Sequence, residues 1–227
     1  MPAATNDLTG FLLTHELIRR TVPELSRRLA ATEPVDADAV ARLARWWKLF
    51  TTVLDRHHEV EDRLVWPVAI VAEPGLGDAV AEIEAQHAEL DTHLARIGAG
   101  LAALEAADTG RWPAEAAGLR RTVDDFAAAL EEHLLLEERA MVPALENAVT
   151  AHAFAELGAA LARDHSPESV AAEMPMVVAH AGAAQREVML GRMPEPVRRR
   201  FVSEWEPRYQ ELVASLPGGE VVGTRPV

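Results

Sequence analysis

The chain of 227 residues contains no cysteine. Disulfides, thiolate metal sites and cysteine catalysis are therefore excluded. Aromatic residues make up only 5%, against 49% hydrophobic residues in which alanine is abundant. That mix suits packed helices; a sheet would require more Val, Ile, Tyr and Phe. Positive charge is scarce: a formal net charge of -14 argues against nucleic acid or an anionic membrane surface as the main partner. The run Arg198-Arg199-Arg200 is a local exception and reads as a solvated helix face. Lysine occurs once, at Lys48, against 21 arginines, a coding bias without functional meaning. No apolar run approaches the roughly 20 residues of a membrane span, and residues 1–10 are too mixed and polar for a signal peptide. The expectation is a cytoplasmic protein with no membrane and no nucleic-acid partner.

Four long amphipathic segments are present, each closed by turn signals. The first covers about residues 6–31, with Phe11, His15, Ile18, Val22, Leu25 and Leu29 in helical steps; Pro23 inside it predicts a kink or local break. The second starts near Asp36 and runs Val40, Leu43, Trp47, Phe50, Leu54, His57, Glu61, Leu64, Val68, with Pro67 bending or ending it. The third takes Asp78 as N-cap and runs Val80, Ile83, His87, Leu90, Leu94, Ile97, Leu101, Leu104. The fourth runs Leu119, Val123, Phe126, Leu130, His133, Glu137, with Pro143 near its end. Short connections between such helices imply an up-down-up-down four-helix bundle over residues 1–150, an all-α fold. Beyond Thr150 the pattern weakens: Ser166-Pro167, Met174-Pro175, Gly191 and Pro194-Glu195-Pro196 predict short helices packed on the bundle over residues 151–217, then a flexible tail over 218–227.

Six residues in the apolar stripe are polar: His15, His57, Glu61, His87, His133 and Glu137. The stripe selects His57 and Glu61 over Glu59 and Asp62, and His133 and Glu137 over Glu138. An internal repeat joins them, since His57, Glu61 and Pro67 recur with identical spacing as His133, Glu137 and Pro143. Positions i and i+4 share a helix face, so each His/Glu pair points one way. At about 1.5 Å rise per residue, all six fall within roughly 10 to 22 Å of one end of the bundle. Four imidazoles and two carboxylates desolvated together would each cost several kcal/mol if unpaired, and metal coordination satisfies them most simply. Imidazole and carboxylate without sulfur suit iron, manganese or zinc. One tetrahedral zinc would strand two of the six, whereas two octahedral ions bridged by the carboxylates use them all. The Glu-x-x-His pattern of ferritin-like sites occurs only at Glu84-Ala85-Gln86-His87, so that alternative is weak.

The segments HHEVEDRLVWP and HLLLEERAMVP, with His15 and His87 in the preceding helices, resemble the hemerythrin-type HHE cation-binding domain over roughly residues 8–148. The resemblance implies an oxo- or carboxylate-bridged di-iron centre, two Fe ions, held by the six residues. Oxygen-carrying hemerythrins typically use five histidines, two of them four residues apart on the third helix. Here Ile83 and Asp91 occupy the positions four either side of His87, so the fifth imidazole is missing, which argues against reversible oxygen carriage. Four His with two Glu looks more like the branch associated with repair of iron centres and nitric-oxide stress.

His58 flanks the stripe and reads as a fifth imidazole ligand or a donor behind the ligands. His93 and His152 read as exposed, His165 and His180 as structural, and Trp46, Trp47 and Trp66 as packing residues. Tyr209, the only tyrosine, would reach the site only if the C-terminal helices cap it. The expected function is binding of a small ligand (O2, NO or peroxide) for sensing, stress response or iron handling. The alternatives are a di-iron enzyme decomposing peroxide or reducing NO, and a helical module whose metal occupancy regulates a protein partner.

Overall fold

A computed structural model describes residues 5–164 and 166–219, and every element among them is helical. The first stripe becomes the buried face of α1 (Thr9–Ala30), where Leu17, Ile18, Val22 and Leu25 have almost no exposure. The helix runs unbroken through Pro23, contrary to a local break there. Val22 and Leu25 on either side are both buried in the core, and that packing holds the turn in place of the lost N–H bond.

Asp36 caps α2 (Ala37–Val60), its carboxylate accepting from the Ala39 N–H at 2.9 Å. The helix then widens into a π turn at Glu61–Val65 before continuing as α3 (Trp66–Ala72). Pro67 thus reshapes the helix without ending it. A short 3-10 turn, Pro74–Leu76, leads to α4 (Gly77–Glu105). Asp78 is not the N-cap; Leu76 holds that position, and Asp78 lies in the first turn, where negative charge suits the positive helix end. Asp108 Oδ1 accepts from the Gly110 and Arg111 N–H groups at 3.0 and 2.9 Å, closing the turn into α5 (Trp112–Pro143). A second π turn, Ala144–Ala148, follows, and the Asn6 side chain donates to the Leu145 and Val149 carbonyls at 2.8 and 2.9 Å.

Among the four long helices, α1 packs on α2 and α5, and α4 packs on α2 and α5. The α4–α5 approach is close, since a Cβ on Gly100 would come within 2.8 Å of Leu119 Cδ1. Two apolar clusters form the core of the long helices, and a third, Val178, Phe201 and Trp205, lies among the C-terminal helices. Of the first two, the larger includes Leu17, Phe50, Leu90 and Phe126; the smaller includes Leu8, Trp66, Ile83 and Met141. Along each long helix the expected His and Glu positions fall where the packing changes from one cluster to the other.

The remaining helices are α6 (Ala151–Asp164), α7 (Pro167–His180), α8 (Ala183–Arg192), α9 (Glu195–Arg200) and, after a π turn at Phe201–Trp205, α10 (Glu206–Ala214). α6 lies against the Glu61–Val65 turn, α7 against α1 and α2, and α10 against α2 and α7. Arg56 and Arg63 both pair with Asp164, fastening the end of α6 beside the middle of the molecule. Gly218, at φ +81°, accepts from Arg27 Nη1 through its carbonyl at 3.4 Å, so the stretch after Pro217 still touches α1 there. Residues 220–227 of the expected tail, and His165, lie outside the described residues. No helix among the described residues is long and apolar enough to cross a membrane.

Candidate metal centre

The expected residues arrive from all four long helices and the π turn after α2. α1 delivers His15, α2 delivers His57, and Glu61 opens the π turn that follows; α4 delivers His87, and α5 delivers His133 and Glu137. His15, Glu61, His87, His133 and Glu137 are buried, and the His57 side chain is 8% exposed. The structure brings all six together in the layer between the two apolar clusters.

It also adds a seventh. His58, 5% exposed, stacks on His87 with ring centroids 4.0 Å apart and stands edge-on to His133 at 5.2 Å. The positions around His87 on α4 remain Ile83 and Asp91, yet a fifth imidazole is present, supplied from α2. The stripe selected His57 alone because it keeps one position per turn. Adjacent residues are about 100° apart on a helix, so His57 and His58 can straddle the line and both face inward.

The donor atoms fall into two groups: His58, His87 and His133 in one, His15, His57, Glu61 and Glu137 in the other, all atoms within a group lying within 4.8 Å of one another. The two carboxylates span the groups. Glu61 Oε1 lies 3.2 Å from His57 Nε2 and its Oε2 lies 3.9 Å from His87 Nε2. Glu137 Oε1 lies 3.3 Å from His133 Nε2 and 3.7 Å from His87 Nε2, while its Oε2 lies 3.5 Å from His15 Nε2. Donors about 2.1 Å from a shared ion sit about 3 Å apart when they are neighbours around it, so these separations are those of a common coordination sphere. The Nε2 atoms of His15, His57, His58, His87 and His133 and both oxygens of Glu61 and Glu137 are buried without a hydrogen-bond partner among the described residues. A folded core does not leave that many donors and acceptors unsatisfied without a ligand. The residues fit a metal centre.

The groups behind the donors are specific. His15 Nδ1 pairs with Glu138 Oε1 at 2.9 Å, and Arg19 holds that carboxylate through two contacts at 2.6 and 3.1 Å. His87 Nδ1 pairs with Asp62 Oδ2 at 3.2 Å, and His133 Nδ1 with Gln86 Oε1 at 3.2 Å. With Nδ1 thus engaged, each ring presents Nε2 inward. Glu138 and Asp62, which the stripe set aside, therefore orient the His15 and His87 rings. The signal that could have found them is the repeat itself, which carries an acid pair, Glu61-Asp62 and Glu137-Glu138, in both halves.

Burial sets the charge states. Desolvation drives His57 well below the ordinary imidazole range, His58 down to about 2 and His133 down to about 3, with neighbouring imidazoles adding to the effect. His15 is lowered too, from burial first, with Glu137 and Glu138 opposing. Desolvation also lowers His87, but the Glu137 and Asp62 carboxylates outweigh it and leave it raised. Glu61 stands well above the ordinary carboxyl range, from burial first and then the charge of Glu137. Neutral imidazoles and a destabilised carboxylate are groups that a cation would stabilise.

The two sides of the centre differ. Phe11 covers the His15 side, its ring 4.3 Å from His15, 5.8 Å from His57 and 6.4 Å from the fully buried Trp66. The His58 and His87 side opens on a groove between α2 and α4. Of the other histidines, His152 is exposed as expected, but His93 is half-buried, its ring 6.1 Å from Phe126. His180 is half-buried, with Nδ1 2.9 Å from its own helix's Met176 carbonyl. Trp46, Trp47 and Trp66 are packed in the core, and Tyr209 lies beside Trp46 and Arg28, more than three turns of α1 beyond His15.

Among known proteins, no curated sequence and no solved structure matches the chain. A protein-family description does: the hemerythrin HHE cation-binding domain matches residues 8–145, and again residues 78–168, which contain the second half of the internal repeat. The 8–145 match holds all seven inward-facing residues. The chain belongs to the hemerythrin HHE cation-binding domain family.

Proposed function

We propose that this protein is a non-haem di-iron protein that binds a small ligand, with His15, His57, Glu61, His87, His133, Glu137 and also His58 as the metal ligands. One observation carries the reading: each of Glu61 and Glu137 turns one oxygen to each donor group, as a carboxylate bridging two ions must. Two Fe ions are the cofactor of this reading, because oxygen and imidazole donors without sulfur suit iron. The bundle is taken as up-down-up-down, since the direction from the smaller to the larger apolar cluster reverses from α1 to α2 to α4 to α5. Residues 1–150 carry the centre, and 151–217 form an accessory helical segment packed on it.

The His15 and His57 group has one imidazole fewer than the other, so an ion held there would have more room for an exogenous ligand. The iron supplies the ligand-binding position and, for O2, NO or peroxide, the redox chemistry. The chain's own residues shape what arrives. Phe11 and Trp66 give that side an apolar wall, which favours small uncharged molecules and keeps bulk water away. With His58 counted, five imidazoles are present, and the lack of a histidine four residues from His87 on α4 no longer argues against reversible oxygen binding.

The test is spectroscopic: iron-loaded protein should develop charge-transfer absorption that shifts on adding azide or NO. No shift at saturating ligand would remove the small-ligand reading. Steady-state consumption of peroxide or NO would instead favour the enzyme.

A further inference from the structure

The groove between α2 and α4 has a volume of about 670 Å³, and its inner end is formed by His58 and His87, whose Nε2 atoms are buried and unpartnered. The cavity reaches the donor groups at His58 and His87. Its polar lining is strongly acidic. Glu59 is compensated by Arg56 at 3.0 Å, and Asp62 is held by His87 at 3.1 Å. Asp55 and Asp91, exposed on opposite helices of the rim, form no ion pair among the described residues. Lys48, the chain's only lysine, is the sole basic side chain in the lining.

A cleft lined by one sign of charge with low-dielectric walls concentrates counter-ions. Here the walls beyond the acids are apolar, including Trp47, Leu94 and Leu101. The field favours a cation and disfavours an anion, and the path ends on two imidazoles whose unpartnered Nε2 atoms can replace water around a metal. We propose that this groove is the route by which hydrated divalent cations load the centre, with Asp55 and Asp91 as the capture pair at its rim. The proposal rests on the two-metal reading of the site. It separates loading, through α2 and α4, from the apolar approach past Phe11 and Trp66.

Stopped-flow uptake of Co²⁺ by the apo full-length chain, read by ligand-field absorption, tests the route. The double variant D55N/D91N should load roughly tenfold more slowly at low ionic strength, with unchanged final stoichiometry, and the difference should collapse in high salt. K48Q should load faster than the unaltered chain. D124N/D125N removes the same charge from a separate surface on α5 and should leave the rate unchanged. Equal slowing by D55N/D91N and D124N/D125N, or no slowing by either, would overturn the route. Failure of the unaltered chain to bind Co²⁺ at equilibrium would instead sink the two-metal reading and the route with it.

Discussion

Glu138 follows Glu137 by one residue and Asp62 follows Glu61 by one, and that single step separates two jobs. The first member of each pair lies among the inward donors; the second grips the Nδ1 of His15 or His87 from behind. Removing such an outer partner typically costs 10–100-fold in metal affinity. Glu138→Gln should therefore weaken metal binding by about that factor in competition against a chelator, while Glu132→Gln, exposed on the same helix, should not. His58→Ala and His133→Ala should each lower the metal content, whereas His152→Ala should retain it; equal retention in all three would remove His58 from the site. The protonation behaviour follows from burial. His58 and His133 are depressed in the fold from 6.5 to about 2 and about 3, so the unfolded chain takes up protons first as pH falls. Their contribution to apo stability is complete above 6.5 and is lost as pH drops from there toward about 3. Glu61 works the other way, its raised carboxyl favouring the fold below 4.5 and losing that contribution as pH rises through its folded value. Thermal melts of apo protein should thus fall in midpoint between about pH 6.5 and 5, because the depressed histidines outnumber Glu61, which opposes them over the same window; a flat profile would contradict the burial of neutral imidazoles. Six of the seven inward residues were legible because periodicity reports which face a residue takes. His58 was legible only as a flanking residue, ligand or outer donor, because steps of 3 and 4 keep one position per turn and cannot tell whether its neighbour also faces inward.

At the scale of elements, proline placed the irregularities but did not give their form. Two of the π turns end two residues before a proline: Glu61–Val65 before Pro67, and Phe201–Trp205 before Pro207. In each the N–H just before the proline bonds five residues back, Trp66 to Glu61 and Glu206 to Phe201. The wider turn absorbs the N–H that proline lacks and lets the helix continue. Glu61 is the first residue of one such turn, so the widening begins at the site itself. Pro143 behaves differently, with its π turn following at Ala144–Ala148, although the repeat spaces both prolines identically from their glutamates. The difference depends on what packs against each helix, which no local pattern contains. The α1–α2 loop holds a backbone feature that sequence also hides: Val35, exposed and β-branched, has φ 65°. A left-handed conformation costs an L-residue with a Cβ roughly 1–2 kcal/mol, and Asn tolerates it better. Val35→Asn should raise the denaturant midpoint by an amount equal to about 1 kcal/mol, and an unchanged or lower midpoint would show that the loop is unstrained.

For the molecule as a whole, the all-helical class follows from composition and stripe, and the position of the site follows from where the stripe turns polar. The C-terminal third was legible only as short helices, because its contacts with α1, α2 and the Glu61–Val65 turn join residues far apart in sequence. The consequence of the architecture is a core divided into two apolar clusters by a layer of unsatisfied donors. Ions in that layer would tie four helices together, so metal content is where structure and function meet. The most direct measurement is elemental analysis of the purified, iron-reconstituted chain. The account predicts about two irons per chain, bridged by Glu61 and Glu137; a single ion, or none, would contradict it.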